Sequence, residues 1–256
     1  MSKKRKKNSK SRAVKNRPAI APTEYHPWRL CPAGRHWVRE HPFRVPASKK
    51  NPDGITSRRG HCADNPSHRD HLYKHEMQEI AQQYFHNLSS QPKHDNLGCK
   101  NGNDYDDLIA GWTQYWNETL KPDIPLDPDL VKALIRSESS FNPKAKNRAG
   151  KHDFARGLMQ VTDRTRKILA DEKGELGDRL ITLTDKDAYD PNLNIAAGIR
   201  WLFHKRQLAS TKLKRQATWE EAVENYKAYL DKRLRGQPYN KKQMEKFREY
   251  YRRLKS

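Results

Sequence analysis

From about residue 103 onward the chain repeats one arrangement: a capping residue, then apolar side chains at helical spacing. "DYDDLIAGWTQYWNETL" sets Leu108, Ile109, Trp112, Tyr115, Trp116 and Leu120 on one stripe, with Asp104 able to cap it. "DPDLVKALIRSESS" opens with Asp127 as N-cap and Pro128 at the first helical position. Its inner face runs through Val131, Leu134 and Ile135 to Glu138. "TDRTRKILADE" is a short helix capped by Thr162. "DPNLNIAAGIRWLFHKRQLA" again opens Asp-Pro and turns Ile195, Ile199 and Leu202 inward; Gly198 costs helix propensity and so points to a close crossing. Thr218 and Glu221 have capping-box spacing, and "NKKQMEKFREYYRRLK" makes a last basic amphipathic helix on Met244, Phe247, Tyr251 and Leu254. A mainly α domain over residues 103–256 is expected.

Residues 21–100 are a different material. Eight prolines, nine of the eleven histidines and all three cysteines fall there. "HWVREHPFRVP" reads as one or two short strands broken by proline, and "HLYKHEMQEIAQQYFHNL" as one helix on Leu72, Ile80, Tyr84 and Leu88. A small Pro/His/Cys-rich α+β or loop-rich module is expected. The odd cysteine count and wide spacings argue against a disulfide scaffold and for reduced thiols or metal ligands. If a structural zinc is held, its ligands are Cys31, His41, Cys62 and His68, although no Cys-x-x-Cys is present. His71 and His75 share a helix face, but "HEMQE" lacks the second histidine of a His-Glu-x-x-His protease. Residues 1–20 carry nine basic residues and no acid, and are expected to be a disordered basic tail.

The net charge is +21, and only 34% of residues are apolar. Such a chain is drawn to polyanions: nucleic acid, an anionic membrane surface or an acidic wall polymer. No apolar run approaches the ~20 residues that cross a bilayer. The basic start is not followed by an apolar stretch, so no Sec signal peptide is read. Synthesis in the cytoplasm, with any outside target reached by another route such as phage lysis or a secretion apparatus, is the expectation.

Glu138 is the residue that points to chemistry. It ends an apolar stripe, next to Leu134, Ile135 and Phe141, and a long polar segment follows it. A carboxyl desolvated in this way keeps its proton and can protonate a leaving oxygen, as glycosidic cleavage requires. "ESSFNPKAKN", "GLMQVT", "DPNLNIAAGIRWL" and "AVENYKAYL" then follow in order. This series resembles the soluble lytic transglycosylases, whose pattern is Glu-Ser-x-Phe-x-Pro, Gly-Leu-Met-Gln, an Asn-Ile-x-x-Gly helix and a late Ala-x-x-x-Tyr. The resemblance covers about residues 125–230 and implies a goose-type-lysozyme-like helical fold.

It also implies roles. Glu138 matches the catalytic acid/base, Ser139 the serine beside it and Phe141 the packing aromatic. Gly157, Leu158, Met159 and Gln160 match the strip lining the sugar cleft. Asn194, Ile195 and Gly198 match the structural helix, and Tyr226 the tyrosine near the carboxylate. Ser139, Met159, Gln160, Asn194, Tyr226 and Lys227 are the candidate substrate contacts. Two departures stand out. The late motif reads Tyr226-Lys227-Ala228-Tyr229 where many relatives have Tyr-Asn-Ala-Gly, so Lys227 is a candidate for an acidic group of the substrate. Asp163 replaces a proline usual soon after the glutamine.

The implied reaction cleaves the bond between N-acetylmuramic acid and N-acetylglucosamine and closes a 1,6-anhydro ring, with one carboxylate and no cofactor. A hydrolase of the same fold would need a second carboxylate to activate water, and Asp153, Asp163 and Asp190 are nearest in sequence. The implied partner is the peptidoglycan glycan strand, with anionic wall polymers held by the basic surface. The rival reading is a non-catalytic wall- or nucleic-acid-binding protein.

Overall fold

The computed structural model describes residues 28–256, and the basic tail expected at 1–20 lies outside them. The described chain begins with a two-stranded ribbon. β1 (Arg35–Val38) pairs antiparallel with β4 (His61–Asp64), Trp37 opposite Cys62. β2 (His41–Arg44) and β3 (Ile55–Arg58) carry the pairing outward, His41 opposite Arg58.

At the ribbon's base Cys31 and Cys62 form a disulfide, which corrects the expectation of reduced thiols or zinc ligands. Sequence spacing did not reveal it, because strand pairing brings the two sulfurs together. With both sulfurs bonded to each other, neither offers a thiolate. His41 is exposed on the outer ribbon with Nδ1 against the Arg39 carbonyl, and His68 is an exposed turn residue with φ 58°. Among the described residues no three His, Cys, Asp or Glu side chains gather as a metal set.

β5 (His71–Leu72) leads into α1 (Lys74–Tyr84) and pairs in parallel with β9 (Leu180–Ile181). That pairing takes Leu72 out of the helix expected from His71, and the buried Glu76 accepts from the Tyr73 and Trp37 amides at the new start. α2 (Asp106–Leu120) buries Ile109, Trp112, Tyr115 and Trp116, as its stripe requires. Asp104 does not cap it; the N-cap is Tyr105, with no side-chain bond. α3 (Pro128–Ser139) starts as read, Asp127 accepting from the Asp129 amide.

The polar segment after α3 is a small sheet rather than a loop. β6 (Lys146–Gly150), β7 (Asp153–Arg156) and β8 (Val161–Thr162) are joined in that order, all antiparallel. α4 (Asp163–Ala170) follows, with Thr162 accepting from the Thr165 amide. After a 3₁₀ turn at Asp187–Tyr189, Asp190 caps α5 (Pro191–Leu213), the longest helix described. α6 (Trp219–Tyr226), α7 (Leu230–Leu234) and α8 (Lys241–Lys255) complete the chain.

α5 is the axis of the packing and touches α1, α2, α4 and α6, while α3 lies between α2 and α8. The larger apolar cluster among the described residues runs from Leu72, Met77 and Ile80 through α2, α3 and α5 to Met244 and Phe247, and a small second one joins Ala209, Ala217 and Leu230. No described helix is long and apolar enough to cross a membrane.

Candidate active site

Glu138 sits on the last turn of α3. The inner stripe holds Leu134, Ile135 and Phe141 at zero exposure, so the glutamate side chain is left only 17% exposed. Its backbone neighbourhood is strained: Ser140 and Phe141 have φ of 53° and 60°. Gln160 at 52° and Ala228 at 59° are also left-handed without being glycine. Such residues cost about 1–3 kcal/mol each and persist where the surroundings hold them. Four of them therefore mark the segments that meet here.

Lys227 is the partner that sequence reading assigned elsewhere. Its side chain is 3% exposed, and Nζ donates to Glu138 Oε1. It is spent on the glutamate rather than offered to a ligand from solution. The expected dry, unpaired carboxyl is in fact an ion-paired one, with Oε2 making no hydrogen bond among the described residues. α6 makes this contact possible. It ends at Tyr226, and the turn to Tyr229 brings the next residue back towards α3.

Tyr226 does not bond Glu138. Its hydroxyl donates to the Met159 carbonyl at 2.7 Å. Burial first, and then the Glu138 charge, push its phenol well above the usual range, so it remains a donor. Gln160 is 7% exposed and its amide is already engaged. Nε2 donates to the Gly157 carbonyl at 2.9 Å, and Oε1 accepts from Asn147 at 2.8 Å. Asn194 is fully buried and is a brace, not a substrate contact. Oδ1 accepts from the Met159 amide, and Nδ2 donates to the Arg156 and Ala188 carbonyls. Met159 itself is fully buried beneath the strip, and Ser139 Oγ bonds the Ile135 carbonyl at 3.3 Å.

Gly198 lets the strip lie on α5. A Cβ there would meet Met159 Sδ at 2.4 Å, so the close approach read from the sequence is to the strip rather than to another helix. Gln160 and Tyr226 line a recess of about 370 Å³ together with Thr162, Arg164, Trp201 and Lys205. Arg164, Trp201 and Lys205 were not singled out from the sequence. The available signal was Trp201 and Lys205 four apart on one helix face.

The three other acids considered each have a structural partner. Asp190 caps α5, accepting from the Leu193 amide at 3.1 Å, and Asp153 accepts from the Arg164 amide at 3.2 Å. Asp163 holds Arg156, Arg166 and the Phe154 amide. Burial would raise its carboxyl, but those arginines outweigh it and hold it below the usual range.

A family model described as the transglycosylase SLT domain matches residues 116–246, just over half of the chain. The match takes in α3, the strip, α5, α6 and the first turns of α8. No curated protein and no solved structure matches the chain.

Proposed function

As the chain belongs to the SLT transglycosylase domain family, we propose that it is a peptidoglycan lytic transglycosylase with Glu138 as its single acid/base. The bond cleaved is the β-1,4 linkage from N-acetylmuramic acid to N-acetylglucosamine. The observation that carries this reading is one half-buried carboxylate, tied to Lys227 and close enough for its charge to act on Tyr226, while Asp153, Asp163 and Asp190 are engaged elsewhere; Glu138 does not itself line the recess of Gln160 and Tyr226.

The species that starts the reaction is the acid form of Glu138, protonated on Oε2, the oxygen Lys227 does not hold; it gives that proton to the glycosidic oxygen, and the bond from that oxygen to the muramyl C1 breaks. The substrate's acetamido oxygen stabilises the electron-poor C1. Glu138, now ionised, takes the proton of the C6 hydroxyl while the C6 oxygen closes on C1. The proton returns to its origin and no water is consumed. Lys227 has a role between the steps, since its ammonium stabilises the carboxylate through Oε1 and leaves Oε2 for proton transfer. Tyr226, Asn194 and Gly198 hold the Met159–Gln160 strip as the wall of the groove.

The Cys31–Cys62 disulfide supports a place of action outside a reducing cytoplasm, as a wall substrate requires. The basic surface suits anionic wall polymers.

The test is incubation with purified sacculi and mass spectrometry of the soluble products. Anhydromuropeptides are expected, falling by about 10²-fold or more in Glu138→Gln, the scale of general acid–base catalysis. Products with a free reducing end would mean a hydrolytic muramidase. No products, with salt-sensitive retention on nucleic acid, would mean a binding protein.

A further inference from the structure

The recess beside Gln160 and Tyr226 carries more positive charge than a neutral sugar needs. Lys205, on α5, lies with Nζ 4.6 Å from the centroid of the Trp201 ring. Its side chain is half-buried, and among the described residues it has no hydrogen bond or ion pair for its ammonium. Arg164, at the start of α4, lines the same recess, and its guanidinium likewise has no partner there. The one acid lining the recess, Glu175, lies 3.4 Å from His204 Nε2. Burial, then Lys212 and to a lesser degree Arg164, pull the Lys205 amine below its ordinary range, while Glu175 and Asp231 offset this only in part. Lys205 is thus a desolvated cation that its acidic neighbours compensate only in part, and an anion entering the recess would relieve it.

Lys205 also covers Trp201, which is only 7% exposed. The indole is therefore not a free platform for a sugar ring. The charged end above it is what an incoming group meets first.

Resting on the transglycosylase reading, we propose that this recess is a subsite for a carboxylate borne by the 3-O substituent of a muramyl residue, held by Lys205 and Arg164. In strands stripped of peptide that group is the free lactyl carboxylate. In peptide-bearing strands it is a carboxylate of the stem peptide. The chemistry is shared, and N-acetylglucosamine has no counterpart to it. The subsite thus distinguishes muramyl positions along an alternating strand.

The test uses the full chain on four substrates: intact sacculi, amidase-stripped glycan, and each after carbodiimide capping of its carboxylates with methylamine. For the wild type, capping is expected to raise KM about tenfold, the effect of losing one charge-assisted contact, with little change in kcat. Lys205→Met is expected to raise KM similarly on uncapped substrate and to be indifferent to capping. Lys205→Arg restores the discrimination, and Arg164→Gln gives a weaker version of the loss. An effect confined to intact sacculi identifies the stem peptide, and one on stripped glycan identifies the lactyl group.

Equal KM for wild type and Lys205→Met on capped and uncapped substrates overturns the proposal. So does discrimination that survives capping but vanishes when phosphate polymers are stripped from the sacculi. If the wild type releases no fragments from any substrate, the transglycosylase reading has failed. Pelleting of the full chain with capped and uncapped sacculi then decides the subsite alone: selective retention lost in Lys205→Met supports it, and equal retention overturns it.

Discussion

At the residue scale the contact that matters most is Lys227 on Glu138. A charge-assisted hydrogen bond contributes about 1.5–3 kcal/mol, so removing this one from a carboxylate formed during the reaction costs about ten- to hundredfold in rate. Lys227→Met is therefore expected to lower kcat on sacculi by that factor with little change in KM. An unchanged or raised kcat would instead make Lys227 a resting latch that substrate must displace. A second residue-scale expectation concerns Tyr226→Phe. It leaves the Met159 carbonyl unpaired and should lower stability by about 1 kcal/mol in chemical denaturation. The order of motifs made Glu138 and the strip legible, because helical periodicity and local capping are short-range. Lys227 was legible only as a departure. Its amine reaches a carboxylate 89 residues away, and no local pattern encodes that. Gln160, Asn194 and Tyr226 matched the family as site residues, yet their polar atoms are turned to backbone and neighbouring side chains. A sequence motif does not say which way a side chain faces.

At the element scale α6 is the lever that sets Tyr226 and Lys227. Thr218 accepts from the Glu221 amide, and the Glu221 carboxylate accepts from the Thr218 amide at 2.9 Å, the capping box read from the spacing. Arg215 first, and then the Thr218 amide, hold the Glu221 carboxyl down to about 2 from 4.5, against its partial burial. A lowered carboxyl stabilises the fold above its unfolded value and ceases to do so as pH falls through its folded one. The Glu221 contribution is thus complete above about pH 4.5 and lost by about pH 2. Arg215 is half-exposed, so solvent screens the pair and about 1 kcal/mol is expected. Denaturation of wild type and Glu221→Gln should differ by that amount at pH 6 and converge near pH 2. A constant difference would assign the effect to packing. Gly198 is a second lever. Alanine there drives a methyl into Met159 and should cost about 1–3 kcal/mol. It should also lower sacculus turnover, because Met159 leads directly into Gln160. Elements of strong periodicity, α2, α3, α5 and α8, were legible. The β6–β8 sheet was not, since its residues are polar and its order comes from pairing.

At the scale of the whole molecule, two unlike parts are joined by a few strong ties. The ribbon of β1 to β4 buries little, and Phe43 and Ile55 on it are 40% and 54% exposed. Its base is held by the disulfide and by buried Asp70. That carboxylate pairs with Arg29 and with Arg179 at 2.6 Å, so a residue just before the ribbon and one next to β9 share one anion. Burial opposes its ionisation, but the two arginines outweigh this and hold Asp70 below the usual range. The cysteines are 31 residues apart, and closing a loop of that length removes about 3–4 kcal/mol of unfolded-chain entropy. The helical part has its own apolar cluster running from Leu72 to Leu254, whose buried members all lie outside the loop that the disulfide closes. Replacing both cysteines by serine should therefore loosen the ribbon selectively. Limited proteolysis is expected to cut within residues 35–64 in Cys31→Ser/Cys62→Ser and to leave a protected helical core. Sacculus turnover by the uncut variant should stay near wild type, because Glu138, Lys227 and the groove lie wholly on α3 to α6. Loss of protection along the whole chain would mean that the ribbon is part of one cooperative unit with the site.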